Sequence, residues 1–548
     1  MSKESKARDL ETDHATLRAV HEAATGGNHG QAGELAEAAL ASGLEHPLLL
    51  NVAALKLEQQ GRVSDAERLL RRAVQIAPDD LSARNALGLC LLRLEQPAEA
   101  LEQFVALLKL NPTLPYAHVS HGNSLLALGA ITEAEASFRR ALALDANQAM
   151  ALAGLAHIAS NRGAYPEARA WAEKSLALVP EFPDAVMSLA AADLGERQTQ
   201  RAEVRIRAML TDTRLAPLER AYANGLLGDI LDAEDRRVEA FAAYTLCNEE
   251  LQRVHGDRFR TQDNALEYVR SMTRYFERAR PQDWILRTPQ SPDPPGARGH
   301  VFLLGFPRSG TTLLEVILEG HPDVVSLEEK ESLIDSVHEF MRRPEDLDRL
   351  ARATPAALGA LRAAYWRRVA AAGVDVADKV FVDKHPFNTL KLPLIARLFP
   401  DAKILFACRD PRDIVLSCFR RRFRMSAPIY ELLSVDGAAR YYDAVMQLLV
   451  RLTRVFSLDP CLVRHEDVVT EFAREMKRIC GFLALDWAPA MGDFALRTKD
   501  RGVLTPSTAQ LVRGLSTEGL GQWRRYRTQL APVLSVLEPW VKRFYYDP

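Results

Sequence analysis

The chain reads as an α-helical repeat array followed by an α/β domain with a mostly parallel sheet. Three observations predict this. Small residues recur at a fixed interval through the first part of the chain. In the second half, short apolar runs end at polar turns and lead into helix-period patterns, as expected for parallel strands joined by crossover helices. Between the halves lies Thr288-Pro-Gln-Ser-Pro-Asp-Pro-Pro-Gly-Ala-Arg298, too rich in proline for regular structure.

The repeat is justified column by column. Alanines fall at Ala32, Ala66, Ala100, Ala134, Ala168 and Ala202, each 34 residues after the last. Gly88 and Gly122 share a column, as do Phe104 and Phe138, and Pro78, Pro112 and Pro180 end three units. Small residues at fixed places let two antiparallel helices pack closely. The pattern resembles the tetratricopeptide repeat. Units are expected at 13–46, 47–80, 81–114, 115–148 and 149–182, with a degenerate one at 183–216. A further helical pair, Tyr222–Val254, carries Gly225, Gly228 and Ala240 out of phase and is expected to cap the array. The resemblance implies a concave face that binds a protein or peptide. Asp263–Arg280 is expected as one more helix, with Tyr268, Met272 and Phe276 along one face. The expected domains are therefore 13–256 for the repeats, 257–298 for helix and linker, and 299–548 for the α/β domain.

Composition excludes several classes. A net charge of −2 over 548 residues gives no bulk reason to bind nucleic acid or a membrane surface. No run approaches a membrane span, and the N-terminus lacks the apolar core of a signal peptide. The six cysteines are scattered without a C-x-x-C pair, which predicts reduced thiols and a cytoplasmic location.

The most informative stretch begins with the strand expected at Val301-Phe302-Leu303-Leu304. Gly305-Phe306-Pro307-Arg308-Ser309-Gly310-Thr311-Thr312 follows, and then an apolar helix. A glycine loop between strand and helix aims free backbone N–H groups and the helix dipole at one point, which makes an anion site. The loop departs from a nucleotide-binding P-loop at one place: Thr311 stands where the lysine that reaches the β/γ-phosphates belongs. That departure argues against a nucleotide kinase. Arg308 supplies a cation inside the loop instead. An ordinary glycine turn remains the alternative.

PRSGTTLLEVILEGHPDV, at 307–324, resembles the 5′-phosphosulfate loop of sulfotransferases that use 3′-phosphoadenosine 5′-phosphosulfate (PAPS), with tyrosylprotein sulfotransferases the nearest likeness. The resemblance runs from about Gly299 to Trp523. It implies that Arg308, Ser309, Gly310, Thr311 and Thr312 hold the 5′-phosphosulfate. It implies that Glu329, second of an acidic pair, is the general base, although Glu328–Glu331 also suits a solvated helix start. Glu331 stands where the family has an arginine. Lys384, at the tip of the strand expected from Lys379, matches a lysine that contacts sulfate and leaving phosphate. His385 beside it suits a turn before Pro386, and a base role stays open.

A third strand is expected at Lys403–Cys408 and a fourth at Pro460–Arg464. After the third, Arg409 and Ser417 match the family's 3′-phosphate ligands; a bare RD-x-R is otherwise often a structural ion pair. Arg421 lies where relatives often keep another cation. The run Arg420–Arg424 otherwise reads as a nucleic-acid patch, a solvated helix end or a rim for an acidic substrate. His465 replaces a family tyrosine in a structural place, and Ser507 falls in a late loop that covers the adenosine in relatives. The expected reaction is sulfuryl transfer to an acceptor hydroxyl, protein or peptide tyrosine among the candidates. A carbohydrate or small-molecule acceptor, and a scaffold with an inactive domain, are the alternatives. No spacing of ligands suggests a metal.

Overall fold

The structure, a computed structural model, describes residues 3–260, 264–284, 296–501 and 514–547. Two compact units divide it, Met1–Glu196 and Arg197–Pro548.

The first unit is helices alone, paired as the period predicts. First helices begin at Pro47, Leu81, Pro115 and Ala149, 34 residues apart, and each returns through a short turn to a second helix. The glycine column has a steric reason. A Cβ on Gly88 would lie 2.5 Å from the Phe104 ring, and one on Gly122 would lie 2.7 Å from the Phe138 ring. The aromatic column fills the volume that the glycines leave.

The second unit begins upstream of the expected linker, at Arg197. Its helical pair Pro217–Ala233 and Arg237–Phe259 shows why Gly228 and Ala240 fall out of phase with the repeat. Pro217 starts 34 residues after Pro183. The first helix then runs for 17 residues, against 13 for Pro183–Gly195, and the four extra residues are about one helical turn. Everything after the insertion is displaced by that amount. Gly228 faces the Tyr244 ring across sixteen residues, the spacing of Gly88 and Phe104, with a virtual Cβ 2.5 Å from the ring. The pair is a seventh unit of the same construction.

The α/β body is a five-stranded, all-parallel sheet: β1 (Gly299–Leu304), β2 (Val324–Glu328), β3 (Val380–Lys384), β4 (Lys403–Cys408) and β5 (Cys461–Arg464), in the order β2-β3-β1-β4-β5. Alternation along each strand feeds two cores. Phe302, Phe381 and Phe406 face one; Val301, Val382 and Leu405 face the other. The helix Ala265–Arg278, expected beside the linker, buries Met272 and Phe276 in the first of these cores. β2 was not expected. The strand order changes direction at β1, and the carboxyl ends beside that point are where an open α/β sheet holds its ligand.

Candidate active site

The loop leaves β1 at Gly305, in a space that admits no side chain: a Cβ there would meet Ser309 Oγ at 2.4 Å and the Ala407 carbonyl at 2.8 Å. Thr389 Oγ1 donates to the Gly305 carbonyl at 2.7 Å, and Ser309 Oγ accepts from the Phe306 amide at 3.3 Å. Arg308 has φ 70° and Gly310 φ 99°. For a non-glycine residue the left-handed backbone costs about 1–2 kcal/mol, and here it turns the Arg308 side chain across to the next strand's helix. Thr311 and Thr312, both buried, open the helix Thr311–Leu318.

Guanidinium groups gather on the β4 side. Arg308 Nε donates to Ser417 Oγ at 2.9 Å, so these two expected residues meet although they lie on different elements. Arg409, 8% exposed, reaches the Arg308 carbonyl at 3.5 Å and the Gly519 carbonyl, and its Nε is buried without a hydrogen-bond partner among the described residues. Burial, then the Arg421 and Arg409 charges, push the Arg308 guanidinium down to about 9. Asp413, buried on the helix Pro411–Arg420, accepts from the Gly521 and Trp523 amides at 2.7 Å each and so fixes the segment that meets Arg409. Ser507 lies outside the described residues.

Carboxylates gather on the β3 side. Lys384, at the end of β3, is fully buried, with Nζ 2.8 Å from Glu329 Oε1 and 3.1 Å from Glu315 Oε2. Glu329 follows β2 with φ 37°, and its amide donates to the Lys384 carbonyl at 3.0 Å. Its side chain keeps 45% exposure, so an acceptor can reach it. Burial would raise the Glu329 carboxyl, but the Lys384 ammonium, by charge and hydrogen bond, together with His385 holds it below its ordinary value. Burial pushes Glu315 up to about 7 against the pull of Lys384. Ser326 Oγ lies 2.9 Å from Glu315 Oε1 and 2.6 Å from Glu319 Oε1. One hydroxyl proton serves only one of those oxygens, so a proton on Glu315 completes the second contact.

Two residues were missed in this role. Glu315 looks like one polar place in an apolar helix and becomes a partner of Lys384 only once β3 lies alongside. His465, expected to be structural, lies against the loop: a Cβ on Gly310 would come 2.7 Å from its Nδ1. Burial and the Arg409 and Arg308 charges push its imidazole down to about 3, so it is neutral. His385 caps the turn Pro386–Lys391, accepting from the Phe387 amide at 3.2 Å on Nδ1, while Nε2 faces Glu331 at 3.2 Å. Glu331 also pairs with Lys391. The arginine run is corrected in part. Arg420 and Arg422 do not end in solvent; they pair with Asp232 and Asp229. Among the described residues, no cluster of three or more metal-ligating side chains occurs and no helix is long and apolar enough to cross a membrane.

Residues 300–489 match the sulfotransferase family, and 17–80, 52–115 and 119–185 match the tetratricopeptide repeat. The chain carries a sulfotransferase-family domain after N-terminal tetratricopeptide repeats. Its sulfotransferase half is 27% identical over 271 residues to protein-tyrosine sulfotransferase 1 of Danio rerio, covering 45% of this chain and 72% of that protein. It is 26% identical over 256 residues to the protein-tyrosine sulfotransferase of Drosophila melanogaster, covering 43% and 51%. An uncharacterized protein of Aquifex aeolicus is 26% identical over 275 residues, 47% of this chain and 35% of that one. The chain therefore spans between about a third and three quarters of the length of these relatives. Among solved structures, the sulfotransferase domain of the Synechococcus PCC 7002 olefin synthase aligns at 24% identity and TM-score 0.36, covering 48% of this chain and 100% of that one. A tetratricopeptide repeat protein of Parabacteroides merdae aligns at 19% and 0.36, covering 44% and 93%.

Proposed function

We propose that the chain transfers a sulfuryl group from PAPS to an acceptor hydroxyl. The observation that carries this reading is the buried guanidinium side of the glycine loop. Arg308 and Arg409 crowd together there, at a cost that an anion would relieve, and Arg409 Nε is buried without a partner. The family implies use of PAPS, and these residues fit it. The backbone of Arg308 to Thr312 and the Arg308 side chain would hold the 5′-phosphosulfate. Arg409 and Ser417, with Arg421 nearby, would hold the 3′-phosphate. Bound there, PAPS supplies a sulfuryl group whose sulfur–oxygen bond to the phosphate breaks as one to the acceptor forms.

Glu329 takes the acceptor proton. Its pairing with Lys384 keeps it ionised at neutral pH, the state a base needs. Lys384 steadies the carboxylate and carries positive charge toward the transferred group. The acceptor we favour is a protein or peptide tyrosine, because a phenol, with pKa near 10, gains from a carboxylate base and because two of the relatives are protein-tyrosine sulfotransferases. The repeats would bind the protein that presents it. Six buried thiols favour a reducing, cytoplasmic setting.

The test is calorimetry with 3′-phosphoadenosine 5′-phosphate (PAP) and with ATP, followed by turnover of PAPS on tyrosine peptides. Tight PAP binding with weak ATP binding is expected. Equal affinity for the two nucleotides sinks the donor assignment. Turnover only on a carbohydrate or small alcohol replaces the acceptor and leaves the donor standing.

A further inference from the structure

We infer that Asp229 and Asp232, in the seventh helical pair, are positioning residues for donor binding: by holding Arg422 and Arg420 they direct the intervening Arg421 toward Arg308. The inference rests on the PAPS reading above.

The helix Pro411–Arg420 ends on the first of three consecutive arginines, and Arg421 is extended, with φ −103° and ψ 138°. Successive side chains on extended backbone point to opposite sides. Arg420 and Arg422 share a side, and each meets an acid on the Pro217–Ala233 helix. Arg420 pairs with Asp232, and Arg422 Nη2 lies 2.5 Å from Asp229 Oδ2. The two acids are three residues apart and so lie on one helical face. Each carboxylate keeps its other oxygen for a tyrosine: Tyr244 donates to Asp229 Oδ1 at 2.9 Å and Tyr526 to Asp232 Oδ1.

The seat is shaped for this contact. A Cβ on Gly225 would lie 2.5 Å from Arg422 Cδ, so the glycine out of register with the repeat column is the one that admits the arginine. Asn248 Nδ2 donates to the Phe419 carbonyl at 2.8 Å, and the Phe241 ring lies 4.9 Å from that of Phe419. Arg421 forms no ion pair within 4 Å among the described residues, and of the acids Asp229 acts on its charge most. Of the charges that depress Arg308, its own is the strongest. The same helix carries Ser417, which accepts from Arg308.

Charge alone predicts the opposite result from positioning. Asp229→Asn or Asp232→Asn removes a negative charge near an anion site, and Coulomb's law would then tighten PAP binding. Positioning predicts weaker binding. On the full chain we expect each Asn variant to weaken PAP about tenfold, the scale of coupling between residues in one network. The KM for PAPS should rise while the acceptor KM holds. In an Arg421→Ala background the same Asn changes should matter less than about twofold. The charge swap Asp232→Arg with Arg420→Asp should restore most of the affinity lost in Asp232→Asn. Tighter or unchanged binding in both Asn variants overturns the inference, as does an equal loss with and without Arg421. Should either variant be insoluble, Tyr244→Phe and Tyr526→Phe make the same test, since each removes only the hydroxyl that orients its carboxylate. A loss of about twofold in PAP affinity supports the inference, and no loss in either overturns it. Wild-type chain that fails to bind PAP sinks the donor assignment instead, which keeps the two failures apart.

Discussion

The two sides of the glycine loop handle buried charge in opposite ways. On the β3 side one ammonium, fully buried, lies between two carboxylates. On the β4 side Arg308 and Arg409 lie together: Arg308 donates to the Ser417 hydroxyl, Arg409 reaches two backbone carbonyls, and Asp413 lies 3.9 Å from Arg409. The response to burial differs accordingly. Lys384 is raised above its ordinary value because its acid neighbours outweigh the effect of burial, and Arg308 is lowered to about 9 by burial first and then by the Arg421 and Arg409 charges. A side satisfied from within supports the fold. A side where burial and neighbouring cations both weigh against the charge of Arg308 is suited to an anion from outside.

The largest expected effect tests the β3 side as chemistry. Glu329→Gln keeps the shape and removes basicity, so kcat should fall by about 10²–10⁴, with PAP affinity unchanged by calorimetry. An equal fall in affinity would mean that the two sides are one site. The next effect tests it as structure. Lys384→Met leaves the buried Glu315 without its ammonium partner and should destabilise by about 3–5 kcal/mol in urea unfolding. Adding Glu315→Gln should recover part of that loss, and no recovery would remove Glu315 from the pair.

Arg409→Ala probes the contrast from the other side. It should cost about 1.5–3 kcal/mol of PAP binding while leaving urea stability of the free chain nearly level, since a cation is removed from among cations. A large loss of stability would mean the β4 side is structural too. The smallest effect is the pH slope from Glu315. An acid raised in the folded state binds its proton more tightly there than when unfolded, so stability falls as pH rises from about 4.5 to about 7 and is level above. Glu315→Gln should flatten the Tm-against-pH curve across that window. An unchanged curve would mean that Glu315 is already ionised at pH 5.

Much of this contrast was legible in the amino-acid order. β1, β3, β4 and β5 are apolar runs cut by glycine, charge or proline, and the loop sits between a strand and a helix. β2 was missed because Val324–Glu328 is an edge strand, buried at Val324 and Leu327 and only partly buried elsewhere, that runs straight into a charged stretch. Glu329 could therefore be named as a candidate from the resemblance, while the strand that places it could not. Glu315 was missed because one acid in Leu-Leu-Glu-Val-Ile-Leu looks like the outward face of a helix, and only the sheet reveals that it is buried. The partners of Arg420 and Arg422 lie 188 and 193 residues earlier, beyond any local pattern. The seventh unit hid behind a four-residue insertion that moved its glycine and alanine off the column.

That distance along the chain also orders events during synthesis. At about 5–20 residues per second, roughly 10–40 s separate the emergence of Asp229 and Asp232 from that of the arginines they hold. The seventh unit thus leaves the ribosome with two acids and a glycine-lined notch facing water. Tyr526, whose hydroxyl completes the Asp232 contact, emerges later still, 294 residues after its partner. A chain stopped between Phe259 and Arg420 would hold the whole repeat array and still present an unfilled acidic seat.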